Sequence, residues 1–154
     1  ILDWDEVPYC EATEKEIDRN RLEIGDVVVA RTGATVGYAK FISCLESEAV
    51  YASYLVRFRF GNPSVRMIAG LFMESDMYKQ HVKNNAGGAA QPNANAKVLG
   101  SAELLIPPDF LQEQFNDSVS PLKRQQDCLI RQNGVLAHAR DLLLPRLMNG
   151  ELSV

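Results

Sequence analysis

Leucines spaced seven residues apart near the C-terminal end of the chain constrain its fold more than any other feature. Four of them follow this spacing: Leu122, Leu129, Leu136 and Leu143. A seven-residue apolar repeat is typical of a helix that packs along one stripe against a second helix. Asn133 lies at the neighbouring core position of the repeat, where a buried amide lowers stability but fixes register and partner number. The four leucines and Asn133 therefore predict a helix–helix interface.

The predicted helical segment is longer than a small domain is wide. The residues from Pro121 to Met148 would span roughly 42 Å at 1.5 Å per residue, which outruns a domain of about 100 residues. We expect one helical piece from Asp109 to about Val119 and a second that starts at Ser120-Pro121, because serine caps helices and proline suits the first turn. Pro145 is expected to break or kink the last turn and Asn149-Gly150 to end it. The alternative is that the leucines pack on the preceding domain.

The apolar patterns within residues 1–108 predict a domain that contains both strands and helices. β-Branched runs and period-two alternation predict strands at Val27–Ala30, Val36–Ile42 and Ala49–Phe60, with the first two forming a hairpin-like pair. A last short strand is expected at Leu104–Ile106, ended by Pro107-Pro108. The fold class is therefore α+β, a mixed β-sheet with short helices followed by a long coiled-coil-type helix, and the domain boundary is placed between residues 1–108 and 109–154.

A polar loop follows the predicted helices of this domain. Helical spacing over Ser64–Met73 and Asp76–Lys83 predicts two short helices or one bent helix. Residues 84–97 contain almost no large apolar side chain, so we expect them to lie outside the core. A loop of this length in a compact domain is more often functional than accidental.

The net charge of −4 is unevenly distributed along the chain. Residues 1–20 hold seven acidic and two basic side chains, residues 21–100 six and nine, and residues 101–154 seven and five. Only the middle is net basic, as phosphate neutralisation requires, and the acidic N-terminal run predicts a solvated face.

The apolar runs are far shorter than the roughly 20 residues that cross a bilayer. Three scattered cysteines suggest a reducing cytoplasm without disulfides or zinc, and the start at Ile1 suggests a fragment of a longer protein.

Motifs of catalysis are scarce in the sequence. His81 and His138 lack the spacing of a metal site, and no nucleophile elbow or phosphate-binding glycine loop occurs. A nuclease would need clustered carboxylates beside a lysine, for which Glu46 and Glu48 near Lys40 are the only faint candidates. The sequence predicts neither a catalytic site nor a metal site, and we expect no enzyme activity of its own.

Five motifs occur in order between residues 22 and 152. They are residues 22–33 (Leu-Glu-Ile-Gly-Asp-Val-Val-Val-Ala-Arg-Thr-Gly), residues 52–58 (Ala-Ser-Tyr-Leu-Val-Arg-Phe), Gly87-Gly88 with Gln91, Asn93 and Asn95, residues 104–108 (Leu-Leu-Ile-Pro-Pro) and residues 141–152 (Asp-Leu-Leu-Leu-Pro-Arg-Leu-Met-Asn-Gly-Glu-Leu). With these motifs the chain resembles the specificity subunit of type I restriction-modification enzymes, specifically one target recognition domain and the conserved helical region that follows it.

The resemblance implies a protein without catalytic activity that recognises one part of a split double-stranded DNA target. It implies two protein partners, a methyltransferase subunit that uses S-adenosylmethionine and a restriction subunit. Since S-adenosylmethionine, Mg²⁺ and ATP belong to those subunits, this chain is expected to need no cofactor. A full subunit resembles two such halves in tandem, so the helical arm is expected to pair with a second recognition half or with a second copy. An arm of roughly 42 Å would then hold two half-sites about one DNA turn, roughly 34 Å, apart.

Side chains that suit DNA contact cluster around the polar loop. Arginine or lysine recognises guanine and asparagine or glutamine recognises adenine, while cations bind phosphates. The candidate DNA-binding residues are Arg31, Thr32, Lys79, Lys83, Asn85, Gly87, Gly88, Gln91, Asn93, Asn95 and Lys97.

Structural roles remain open alternatives for several of these side chains. As an alternative to DNA contact, the loop amides would form hydrogen bonds with backbone groups of the loop itself. Arg31 would otherwise form a salt bridge with Asp26 or Glu23, and Arg57 and Arg59 could lie on a solvent face of their strand. The alternative function is a helical assembly adaptor without DNA contact, which the acidic net charge favours.

Overall fold

The computed structural model describes residues 2, 4–88 and 93–151, and over these the chain has an α+β fold. Three strands form one small sheet, short helices pack beside it, and one long helix follows. The strands are β1 (Val27–Ala30), β2 (Ala39–Phe41) and β3 (Leu55–Phe58). The helices are α1 (Glu14–Asn20), α2 (Pro63–Glu74), α3 (Asp76–Asn85), α4 (Ala96–Leu99) and α5 (Asp109–Met148), with 3-10 turns at Trp4–Glu6 and Gly33–Thr35.

The sheet has the order β2-β1-β3, and both pairings are antiparallel, whereas we expected a mixed sheet. Val27 lies opposite Phe41 on one side and opposite Phe58 on the other. β2 and β3 are shorter than the alternation predicted. Tyr38 N–H donates to Thr35 O and Leu55 N–H donates to Ala52 O, each at 2.9 Å, so a turn precedes each strand within the predicted run.

The core lies between one face of the sheet and helices α2 and α3. Val27 and Val29 on β1 are buried with Met73 of α2 and Val82 of α3. Ser75 separates the two helices: its hydroxyl donates to Phe72 O at 2.6 Å and accepts from Tyr78 N–H at 3.3 Å. Of the two expected alternatives, two short helices or one bent helix, the first is confirmed, with a serine cap at the junction.

α5 is one continuous helix of 40 residues, about 60 Å long at 1.5 Å per residue. The expected restart at Ser120-Pro121 was wrong, and Pro145 does not end the helix either, although each proline removes one backbone donor. Gly150, with φ +71°, lies just beyond the end of α5 at Met148, as a terminator should. Among the described helices, none is long and apolar enough to cross a membrane.

α5 packs on α2, and Asn116 Nδ2 of α5 donates to Ser64 O of α2 at 2.8 Å. Gln112 Nε2 donates to Pro107 O, just before α5, at 2.7 Å. Residues 141–150 are exposed throughout. α5 therefore begins on the sheet domain and extends away from it, while the division of the chain into domains at residue 108 stays a prediction.

Leu104–Ile106 does not form the expected strand. Leu105 is 91% exposed, and the segment enters Pro107-Pro108, which can donate no backbone hydrogen bond. Three apolar residues in a row were a weak signal, because a strand also needs a partner edge and no described strand pairs with them.

Candidate nucleic-acid interface

The polar loop after α3 is closed at its base by backbone hydrogen bonds. Gly87 N–H donates to Asn93 O at 3.1 Å and Asn93 N–H donates to Gly87 O at 2.8 Å. The next residue, Ala94, donates to Arg31 O at 2.8 Å and is fully buried in the core cluster. The expectation that residues 84–97 lie wholly outside the core was therefore wrong, because a small alanine fills a site beside β1 that fixes the loop in place.

Several predicted DNA-binding residues meet at this base. They line one open cavity of about 310 Å³, here called the loop cavity: Arg31, Gly87, Gly88, Asn93 and Asn95. Thr32 pairs with Asn93 through an isolated antiparallel bridge, which holds the end of β1 against the loop. Gln91 lies outside the described residues, so its position within this surface stays a prediction.

Two of the loop amides bind backbone groups. Asn95 Oδ1 accepts from Val98 N–H at 2.9 Å and caps α4, and Asn85 Nδ2 donates to His81 O at 2.8 Å. These two amide atoms therefore have the structural role that was the alternative to DNA contact. Asn93 is exposed, and its side chain makes no hydrogen bond within the described part of the chain. An adenine contact uses both the oxygen and the nitrogen of an amide, and the oxygen of Asn95 already accepts one hydrogen bond. The role of Asn93 and Asn95 in base contact stays a prediction.

Arg31 is not held by the carboxylates that were its alternative partners. Asp26 and Glu23 both pair with Arg59, whose Nε lies 2.8 Å from Asp26 Oδ1 and whose Nη1 lies 2.8 Å from Glu23 Oε1. Within residues 4–88 and 93–151 the structure gives Arg31 no ion pair. Arg31 lines the loop cavity.

Tyr38 is a surface residue that sequence reasoning missed. The ammonium of Lys79 lies 3.8 Å from the centre of its half-exposed ring. Hydrogen bonding with Lys79, helped by the positive charges of Lys79 and Lys83, lowers the pKa of the Tyr38 hydroxyl. The signal was Gly37, whose φ of +81° and close approach to Val82 bring Tyr38 against α3.

Lys79 and Lys83 belong to α3 and Lys97 to α4, the two helices that flank the loop. Lys83 and Lys97 are exposed. Lys79 also lies 3.9 Å from Asp76, a fully exposed carboxylate that partly offsets its charge. These three lysines lie on the helices before and after the loop, and none of them lines the loop cavity itself.

The remaining basic and acidic candidates have structural partners. Arg57 lies 5.2 Å from the centre of the Tyr51 ring and donates to Arg21 O, so it does not simply face solvent. Lys40 pairs with Glu74 at 3.1 Å and Glu48 with Arg21 at 2.7 Å. Glu48 and Lys40 thus do not form the carboxylate–lysine cluster that a nuclease would need.

The heptad leucines of α5 do not pack on the domain. Leu122, Leu129, Leu136 and Leu143 are 63%, 51%, 66% and 47% exposed. The domain side of the helix instead carries Lys123 and Asp127, which pair at 3.1 Å and are largely buried. The leucine stripe is consequently open to a partner, while its role as an interface with Asn133 stays a prediction.

Comparison with known proteins agrees with the resemblance. No family model matches this chain. The chain is similar to the type I restriction enzyme EcoKI specificity subunit of Escherichia coli (strain K12), with 24% identity over 161 aligned positions that cover 99% of this chain. The alignment covers 35% of that relative, so this chain spans about a third of its length.

Proposed function

We propose that this chain recognises one half of a bipartite DNA target within a type I restriction-modification complex. The similarity to a specificity subunit extends over 99% of the chain, which covers both the sheet domain and α5. The observation that carries the proposal is the loop cavity, which brings together the guanidinium of Arg31 and the amide of Asn93; among the described residues neither side chain has an ion pair or a hydrogen bond.

These two side chains have complementary recognition chemistry. An arginine fork binds the O6 and N7 acceptors of guanine, and an asparagine amide binds the N7 and N6 of adenine. Lys79, Lys83 and Lys97 would bind backbone phosphates beside the contacted bases, which sets the position of the domain on the duplex. In this arrangement the loop cavity supplies specificity and the lysines supply affinity.

The catalytic steps belong to partner subunits in this proposal. A methyltransferase subunit would bring S-adenosylmethionine, and a restriction subunit would bring Mg²⁺ and ATP. α5 would pair through its leucine stripe with a second recognition half or a second copy, so that two half-sites lie at a fixed spacing. α5 is about 60 Å long and exceeds one DNA turn of roughly 34 Å. Part of the helix would therefore set the distance between half-sites while its start packs on the sheet domain.

The test is a methylation assay on a library of duplexes, using the full chain with its methyltransferase partner. Each of Arg31→Ala and Asn93→Ala is expected to relax the preference at one base position by about 1–3 kcal/mol, or roughly five- to 150-fold. Arg124→Ala and Gln125→Ala, exposed side chains of the same types on α5, serve as controls and should leave the preference unchanged. An unchanged target sequence in both loop variants would move base recognition to another surface.

A second function, assembly without DNA contact, is favoured by the exposed leucine stripe. It predicts association that persists at high salt and no binding to DNA at any salt concentration. DNA binding through phosphates weakens steeply with salt, so affinity measured against salt separates the two functions. Deleting about two turns of α5 tests its role as a spacer, and an unchanged distance between half-sites would contradict that role.

A further inference from the structure

A second surface cavity adjoins Arg31, and no residue of the polar loop is among its described lining residues. It has a volume of about 600 Å³ and lies between α1 and the start of β3. We call it the α1 groove, and its polar lining includes Lys15, Glu16, Arg19, Asn20, Arg31 and Tyr51. Lys15 and Arg19 are four residues apart on α1, so they lie on the same helix face.

The α1 groove and the loop cavity share one residue. Arg31 lines both, because β1 ends at Ala30 and delivers Arg31 between the polar loop on one side and α1 on the other. A ligand in the loop cavity that extended past Arg31 would therefore meet Lys15 and Arg19.

The charge in the α1 groove is opposite to that of the N-terminal segment as a whole. Three cations line the groove, and the described residues give Lys15, Arg19 and Arg31 no ion pair. The lining carries one carboxylate, Glu16, whose Oε2 accepts from Thr13 N–H at 2.9 Å and from Thr13 Oγ1 at 2.7 Å. Glu16 keeps its negative charge while it caps α1, so the lining carries three cations against one carboxylate.

Neutral donors complete the lining. Asn20 contributes an amide and Tyr51 a phenol hydroxyl, both of which are common phosphate ligands in protein–DNA complexes. Tyr51 is held by Arg57, whose guanidinium carbon lies 5.2 Å from its ring centre. The groove thus combines cations with neutral hydrogen-bonding side chains, which is the chemistry that binds a sugar–phosphate backbone.

We propose that the α1 groove binds the phosphate backbone of the DNA duplex whose bases lie in the loop cavity, with Lys15 and Arg19 as the phosphate ligands. The inference rests on the proposed function and adds to it a site in a segment whose overall acidity argues against DNA contact. Lys15 and Arg19 fix the register of the duplex on the domain, and Arg31 joins the phosphate contacts to the base contacts.

The experiment measures affinity for a labelled mixed-sequence duplex of about three helical turns, roughly 30 base pairs, against salt concentration. The full chain in complex with the methyltransferase partner is compared with the double variant Lys15→Ala/Arg19→Ala. Alanine keeps α1 helical and leaves its capping box intact. The control, Arg124→Ala/Arg146→Ala, removes two exposed cations from α5 and changes the net charge equally.

The groove variant is expected to bind roughly tenfold more weakly at moderate salt, with a slope of log affinity against log salt shallower by about 2. Its target sequence in the methylation assay should stay the same. Equal losses in groove and control variants would overturn the proposal, because they would show a general charge effect. A groove variant with wild-type affinity would also overturn the phosphate site. If Asn93→Ala still altered the target sequence in that case, the proposed function would stand. If the wild-type complex bound no DNA, both the phosphate site and the proposed function would be wrong.

Discussion

Arg59 clamps Asp26 with two parallel hydrogen bonds, from Nε to Oδ1 and from Nη2 to Oδ2, each 2.8 Å long. The Asp26 side chain is only 2% exposed and lies directly before β1, where its Oδ2 also accepts from Glu23 N–H at 2.8 Å. Burial alone would raise the pKa of this carboxyl, but the bonds from Arg59 and Glu23 outweigh it and hold the pKa below its usual value. The ionised form of Asp26 therefore anchors the start of the sheet.

This pair makes stability depend on pH in a defined direction. A carboxyl whose pKa is lower in the folded than in the unfolded chain stabilises the fold above its unfolded pKa, near 4, and loses that contribution as pH falls through the folded value. We expect Asp26→Asn to lower the free energy of unfolding by about 2 kcal/mol at neutral pH, with the difference shrinking below about pH 4.

Urea denaturation of both proteins across the acid range measures the effect. Asp117→Asn is the control, since Asp117 is exposed on α5 and its loss should leave the pH dependence unaltered. A difference between wild type and Asp26→Asn that stayed constant down to strongly acidic pH would contradict an ionised Asp26.

Gly70 permits the close approach of α2 to β2. A Cβ at this position would lie 2.6 Å from Cγ and 3.0 Å from Cβ of Phe41, a buried side chain. Gly70→Ala should gain helix propensity of about 1 kcal/mol but lose more through overpacking, for a net destabilisation of about 1–2 kcal/mol. Thermal unfolding would show it as a lower Tm. Gly61→Ala, where the new Cβ meets no atom within 4 Å, is the matched control and should be neutral or slightly stabilising.

The fold class could be predicted from sequence because its signals are local. β1 was found with its observed bounds, since a run of valines bounded by glycines is a strong strand signal. The continuity of α5 through Pro121 was not predictable, because packing on α2 and the long helix on either side outweigh one missing hydrogen bond.

The candidate site could be predicted only in part. Arg31, Gly87, Gly88 and Asn93 were recognised from residue type and loop composition, and the structure brings them to one cavity. Tyr38 and the α1 groove were missed, because they depend on contacts between segments far apart in sequence. The net acidity of residues 1–20 also concealed that Lys15 and Arg19 share one helix face.

Substitutions at Asn95 and Asn93 should have different effects, on the stability of the fold and on the DNA target sequence respectively. Asn95 Oδ1 caps α4, whose Leu99 carbonyl accepts from the buried Tyr78 hydroxyl at 2.9 Å. Asn95→Ala should therefore cost about 1 kcal/mol, while Asn95→Ser keeps the cap, the stability and the target sequence. Asn93→Ala should change the target sequence with little effect on stability. The comparison needs chemical denaturation and the methylation assay on the same variants, and a changed target in Asn95→Ser would show that Asn95 also contacts a base.

The leucine stripe of α5 is expected to hold two helical arms together. Leu129 and Leu136 are half or more exposed in the single chain, and burying a leucine side chain stabilises an interface by about 1.5–3 kcal/mol. Leu129→Glu/Leu136→Glu should therefore weaken pairing of two arms by at least about 100-fold, since each 1.4 kcal/mol is about tenfold in affinity. Sedimentation equilibrium measures the pairing, and circular dichroism checks that α5 remains helical. Val135→Glu/Leu142→Glu is the matched control: both side chains are exposed but lie about 120° around the helix, so pairing should persist. If the two double variants associated equally well, the leucines would not form the interface.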